Sequence, residues 1–160
     1  MKSKQSFFER LLKIKWISYQ TLLQWYPMFI FLGLKINISA DYRNISIRIP
    51  NRWYIRNNTG ILFGGAMCAT SDPFPALLFE RIIPGAKAWT VAHSIEYIRP
   101  AYTSVTMNIH INEDIINNMI HQLEHEKYAR HTFEYYFMDE KKHRIAIVRS
   151  TAFVKKVNRI

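Results

Sequence analysis

Along the first third of the chain the apolar residues recur at helical spacing and then switch to strict alternation. Residues 6–32 carry the pattern of a helix, whereas residues 34–39 and 42–49 read as strands, with Ile45, Ile47 and Ile49 alternating against polar neighbours. Two such strands in succession predict an antiparallel pair. Residues 50–59 are polar and irregular and lead into Gly60, the signature of a loop. The segment Gly64-Gly65-Ala66-Met67-Cys68-Ala69-Thr70-Ser71-Asp72 is small and apolar nearly all round, as expected of a helix enclosed by other elements, and Asp72 stands out in it. Pro73 and Pro75 follow at once. An interior proline lacks the amide donor and crowds the preceding turn, so this helix is expected to kink or restart there before running through residues 76–83 to Pro84-Gly85.

Four strand-like segments come next, at 88–98, 104–111, 129–138 and 144–154, each rich in β-branched or aromatic residues. Between the second and third, Ile116, Met119, Ile120 and Leu123 recur at helical spacing behind Glu113 and Asp114, predicting a short helix over 113–127. Asp139-Glu140-Lys141-Lys142 reads as a charged hairpin turn. Two strands, an enclosed helix and four strands make an α+β unit, a curved antiparallel sheet wrapped around a central helix. Residues 1–33 form a helical extension and 34–160 the core of one domain.

Composition agrees with one domain: the chain has 160 residues, of which 49% are apolar. Its single cysteine, Cys68, cannot form an intrachain disulfide, and residues 1–15 hold five basic residues with no apolar run of signal-peptide type. A reducing, cytoplasmic setting is expected. Residues 16–34 are the most apolar stretch, but Gln20, Gln24, Pro27 and Gly33 interrupt it before the ~20 residues a membrane span needs. It reads as a helix capping the core; the alternative is an amphipathic helix at a membrane surface, giving peripheral contact through Trp16, Trp25 and Phe29. With 22 Lys+Arg against 12 Asp+Glu the net charge is +10, spread over several segments with no recognition-helix cluster or aromatic RNA-binding signature. No nucleic-acid partner is expected, and the charge suits a smaller polyanion such as a nucleotide-bearing thioester.

The chemistry concentrates around the enclosed helix. A helix N-terminus presents unpaired amides and the positive end of its dipole, and Gly64-Gly65 leaves room for a carbonyl to approach them, a candidate oxyanion hole. Asp72, a carboxylate on an otherwise apolar helix, is the natural general base or nucleophile. Its bland alternative is an N-cap for a helix restarting at Pro73.

The set Asn57, Gly60, Gly64, Gly65 and Asp72, with Ile95-Glu96-Tyr97-Ile98-Arg99-Pro100-Ala101 downstream, resembles the signature of hotdog-fold acyl-CoA thioesterases of the PaaI type, in particular their poorly characterised subgroup. The resemblance covers the chain after about residue 34 and implies a hotdog fold. It assigns Asn57 to holding the thioester or water, the Gly64 amide to the carbonyl oxygen, Asp72 to catalysis, and Thr90 to a hydroxyl that orients water; a strand Thr chosen for propensity explains Thr90 equally well. It also implies a homodimer, or a dimer of dimers, in which Asn57 and Gly64 of one subunit face Asp72 of the other. The substrate is an acyl-CoA or acyl-carrier thioester, and no cofactor is implied. Gly65 and Phe63 are further candidates for substrate binding, Met67, Phe74 and Leu78 for lining an acyl tunnel between subunits, and Arg99 and Lys155 for meeting the nucleotide phosphates. One departure bears on activity: Phe63 stands where most such enzymes have His. Together with Pro73 abutting Asp72, that keeps open a non-catalytic acyl-thioester or lipid-binding, or regulatory, hotdog protein.

Other patterns have plainer explanations. His121-Gln122-Leu123-Glu124-His125 matches an inverted zinc-protease motif but lacks a third ligand and reads as the wet face of a helix, so no metal is expected. Cys68 has no neighbouring base and reads as a small buried residue.

Overall fold

The computed structural model describes residues 18–156. Residues 6–17 of the expected N-terminal helix lie outside them. Within the described part the single helix is corrected to two short ones, α1 (Tyr19–Gln24) and α2 (Pro27–Leu32). The Ser18 hydroxyl caps α1 by accepting from the Thr21 amide, and Pro27 opens α2, where its missing N–H and fixed φ suit a first turn and not a helix interior. Both helices bury one side, with Leu22, Leu23, Phe29 and Leu32 facing the core, which is the capping arrangement; Trp25, Ile30 and Phe31 are exposed on the other.

Six strands form one antiparallel sheet: β1 (Lys35–Ile38), β2 (Asn44–Ile49), β3 (Ala86–Tyr97), β4 (Val105–His110), β5 (Ala129–Met138) and β6 (Arg144–Lys156), in the spatial order β1-β2-β4-β5-β6-β3. Ile45, Ile47 and Ile49 are buried, as their alternation predicts. The enclosed helix is two segments, α3 (Gly64–Ser71) and α4 (Phe74–Ile82), and Phe74, Leu78 and Phe79 fill the space between α4 and the sheet. A final helix, α5 (Glu113–His125), is capped by Asn112, whose side chain accepts from the Ile115 amide, and buries Ile116, Met119 and Leu123. The turn between β5 and β6 is held by the Asp139 carboxylate, which accepts from the Lys141 and His143 amides at 2.9 and 2.8 Å. This is the sheet-around-helix arrangement expected from the sequence.

The two edges of the sheet differ. At β1, the Gln20 side chain accepts from the Ile38 amide and Gln24 donates to the Ile36 carbonyl, so α1 covers that edge. At the other end β3 pairs with β6 alone, and among the described residues its outer edge is covered only where the Ala88 amide donates to Glu80. Trp89, Val91 and Tyr97 are exposed along it.

Candidate active site

The break in the central helix positions Asp72. Pro73 offers no N–H to the Ala69 carbonyl and Pro75 none to that of Ser71. The chain nevertheless stays in right-handed helical conformation, with Asp72 at φ −62°, ψ −56° and Pro73 at φ −82°, ψ −22°. Asp72 is therefore no N-cap: the capping position falls on Pro73, and an N-cap needs extended angles. A side chain from the sheet replaces the partner lost at Ser71, and a second one holds the next carbonyl. The Tyr135 hydroxyl donates to the Ser71 carbonyl, and the Thr90 hydroxyl donates to that of Asp72 at 2.9 Å. Burial pushes the Tyr135 hydroxyl well above the usual tyrosine range, so it stays a donor.

The half-buried Asp72 carboxylate borders a cavity of about 430 Å³ between the N-terminal helices and the central pair. Leu22, Tyr26, Met28, Phe29, Ala69 and Leu77 give it apolar walls, and Arg81 and Lys87 are its cationic members.

The opposite end of α3 carries a second cluster. Asn57, Gly64, Met67 and Arg99 border a separate depression of about 370 Å³. The Asn57 side-chain oxygen accepts from the Thr59 amide, the Thr59 hydroxyl and the Ile61 amide at 2.7–3.0 Å, which closes a tight turn through Gly60 at φ +78°. Its amide nitrogen remains available as a donor among the described residues. Gly64 and Gly65 occupy the first turn of α3, where amide N–H groups have no partner within the helix. The Tyr97 hydroxyl donates to the Gly64 carbonyl at 2.7 Å, and a Cβ on Gly64 would sit 3.0 Å from that ring. Phe63, exposed, lays its ring against Gly65, where a Cβ would meet it at 2.3 Å.

The structure thus brings together Asn57, Gly64, Met67 and Arg99 at one end of α3, and Asp72 with Thr90 at the other. Eight residue steps of helix separate Gly64 from Asp72, about 12 Å along the axis. Phe74 and Leu78 lie in the core beneath α4, Phe74 stacked on Phe29 at 5.4 Å, and Lys155 is exposed on β6 opposite Lys87. The His121 and His125 rings lie 4.3 Å apart on α5, tilted at 52° to each other, and among the described residues no three His, Cys, Asp or Glu side chains are grouped to hold a metal ion.

Sequence reasoning missed His93. Its Nε2 lies 3.2 Å from the Ser71 hydroxyl, beside Asp72, while its Nδ1 is buried without a partner among the described residues. Burial pulls the imidazole below the ordinary histidine range, and the Asp72 charge partly opposes this. The available signal was a change of parity: Ala86, Ala88 and Thr90 share one phase along β3, Ile95 and Tyr97 the other.

Comparison with known proteins places the chain as follows. Residues 15–154 match the family described as "Domain of unknown function (DUF4442)". No curated protein sequence matches. Among solved structures, a protein of unknown function from Chlorobaculum tepidum superposes with TM-score 0.71 at 17% identity, covering 86% of this chain and 91% of its own. A thioesterase from Haemophilus influenzae gives 0.65 at 15% identity, covering 89% and 93%, and the PaaI protein of the E. coli phenylacetic acid degradation operon 0.58 at 15%, covering 81% and 83%. These likenesses establish the hotdog fold.

Proposed function

Taking as premise that the chain belongs to the DUF4442 family and has the hotdog fold, we propose that it is a homodimeric hydrolase of acyl-CoA or related thioesters. The observation that carries this reading is Asp72: a half-buried carboxylate at a proline-made break in the central helix, bordering an apolar cavity. Solved structures of the same fold include thioesterases from Haemophilus influenzae and Pseudomonas aeruginosa.

A general base must come within about 3 Å of the water it activates, or act through one more water. Gly64 and Asp72 of one chain are too far apart along α3 to serve the same carbonyl. A twofold axis that sets two α3 helices side by side in opposite senses would bring Gly64 of each chain to Asp72 of the other, forming two equal sites. The open β3 edge, with Trp89, Val91 and Tyr97 exposed, offers the surface for such pairing.

In the proposed reaction the thioester carbonyl oxygen accepts from the Gly64 amide and the Asn57 side-chain amide. Asp72 of the other subunit takes a proton from water as the water oxygen bonds to the carbonyl carbon. The tetrahedral intermediate expels the thiolate as the C–S bond breaks, and Asp72 returns the proton to sulfur, leaving a carboxylic acid and a thiol. The acyl chain lies in the apolar cavity beside Asp72.

Phe63 supports a second reading. Its ring covers Gly65 where a polar side chain would assist chemistry, which favours acyl-thioester binding without turnover. Thiol release from short, medium, long and aromatic acyl-CoAs by the native chain, Asp72→Asn and Asn57→Ala separates the two. Turnover lost in both variants supports hydrolysis. Thermal stabilisation by an acyl-CoA without turnover supports binding.

A further inference from the structure

The cavity beside Asp72 has an order along its length. Ala69, Pro73, Leu77 and Arg81 line it at intervals of four residues, so they follow one face of α3 and α4 across the break, where Asp72 and Pro73 keep helical angles. The opposite wall comes from α1 and α2 and runs the other way. At one end the Arg81 guanidinium lies over the Tyr19 ring, 4.1 Å from its centroid. At the other, Phe29 stacks on Phe74 at 5.4 Å. Asp72 and Arg81 thus stand at opposite ends of the cavity, nine residue steps apart, which is about 14 Å along the helix axis.

The two ends differ in chemistry, and Leu22, Leu23 and Leu77 line the length between them. The Arg81 end is polar and braced. Tyr19 packs edge-on against Tyr42 with ring centroids 5.8 Å apart, the Glu80 carboxylate accepts from the Ala88 amide at 2.9 Å, and Lys87, one residue before Ala88, lines the cavity. Burial pushes the Tyr19 hydroxyl up to about 12, with the Arg81 charge opposing the rise, so the hydroxyl is neutral near pH 7. A chain of methylenes extending past this end would have to lift the guanidinium off the ring and press apolar carbon against two cations.

We propose that the Tyr19–Arg81 pair is the distal stop of the acyl site, so that the site fits extended acyl chains of up to about eleven carbons. A carbon–carbon bond of about 1.5 Å advances an extended chain by roughly 1.25 Å, and about 14 Å of cavity therefore takes about eleven of them. Leu77 stands midway, five residue steps from Asp72. The stop rests on the reading above that the acyl chain occupies this cavity; it does not require turnover.

The test is affinity against chain length, by isothermal titration calorimetry on the full-length protein. The probes are S-(2-oxoalkyl)-CoA ketones of four to eighteen carbons, in which a methylene between sulfur and carbonyl blocks hydrolysis. Each carbon buried in the cavity should tighten binding about fourfold, until the gain ends at about eleven carbons. Arg81→Ala should carry the gain on by about two carbons or more, and Leu77→Trp should end it at about six. Far-UV circular dichroism checks that each variant is folded, and the two variants move the limit in opposite directions, which loss of structure cannot do. An absence of binding, an affinity independent of chain length, or a limit that stays in place in either variant overturns the proposal. Thiol release from the matching acyl-CoAs is measured alongside. Turnover with no limit in chain length leaves hydrolysis standing and overturns the stop, whereas a limit that shifts as stated in a chain without turnover supports the stop and removes hydrolysis alone.

Discussion

Replacing Tyr135 by Phe removes one hydroxyl, and the surroundings of Ser71 set the cost. Because Pro75 has no N–H, the Ser71 carbonyl lacks its donor four residues on, and the Tyr135 hydroxyl from β5 supplies it. Ser71 is wholly buried, so water cannot take over. A buried acceptor left unsatisfied costs about 1–3 kcal/mol. In a chain of this size that lowers the melting temperature by roughly 2–12 °C. A second substitution identifies the cause. Pro75→Ala restores an amide at position 75, and the helical angles of Asp72 and Pro73 leave it within reach of the Ser71 carbonyl. In that background Tyr135→Phe should cost less, by about 1 kcal/mol. Urea denaturation followed by far-UV circular dichroism on all four proteins completes the cycle. An equal cost in both backgrounds, or a cost below about 0.5 kcal/mol in the native one, would refute the reasoning.

Three further outcomes are expected. Gly65→Ala places a Cβ in the space of the Phe63 ring, which is exposed and free to swing; the apo melting temperature should move by no more than about 3 °C while stabilisation by an acyl-CoA changes, as read by thermal shift. Val91→Arg puts two like charges across the proposed β3 pairing, so sedimentation velocity should show a shift from dimer to monomer. Burial pulls both His93 and His131 below the ordinary histidine value of 6.5, so the unfolded chain binds more protons than the folded one in the range just below it. Stability from these groups is present above pH 6.5 and lost as the pH falls through their folded midpoints; thermal melts should show this slope, and His93→Gln with His131→Gln should flatten it.

The fold was legible because its signals are local and repeated. Alternation at Ile45, Ile47 and Ile49 gave β2, the helical spacing behind Glu113 gave α5, and the prolines after Asp72 marked the break in the central helix. The N-terminal break was missed because the apolar pattern continues smoothly across Trp25 and Tyr26, and only Pro27 signals it. The grouping of Asn57 with Gly64 follows from the turn that Asn57 closes on its own backbone, a short-range arrangement that sequence spacing conveys. Phe74 and Leu78 show the opposite limit: apolar side chains beside the break suit a ligand tunnel and a core equally well in sequence, and both lie in the core. His93 was missed for a related reason. The bulge between Thr90 and Ala92 inverts the face of every residue beyond it, and a strand read as uniformly alternating places His93 on the wrong side.

A site shared between two chains is the central feature of the proposed enzyme, and subunit complementation tests it most directly. Asp72→Asn and Asn57→Ala proteins, each inactive alone, are unfolded together and refolded as a mixture. Random pairing makes half of the dimers mixed, and in each of these one site has Asn57 from one chain and Asp72 from the other, both intact. Thiol release should therefore return to about a quarter of the native rate. A mixture as inactive as its components, with mixed dimers demonstrated by mass spectrometry, would contradict a shared site.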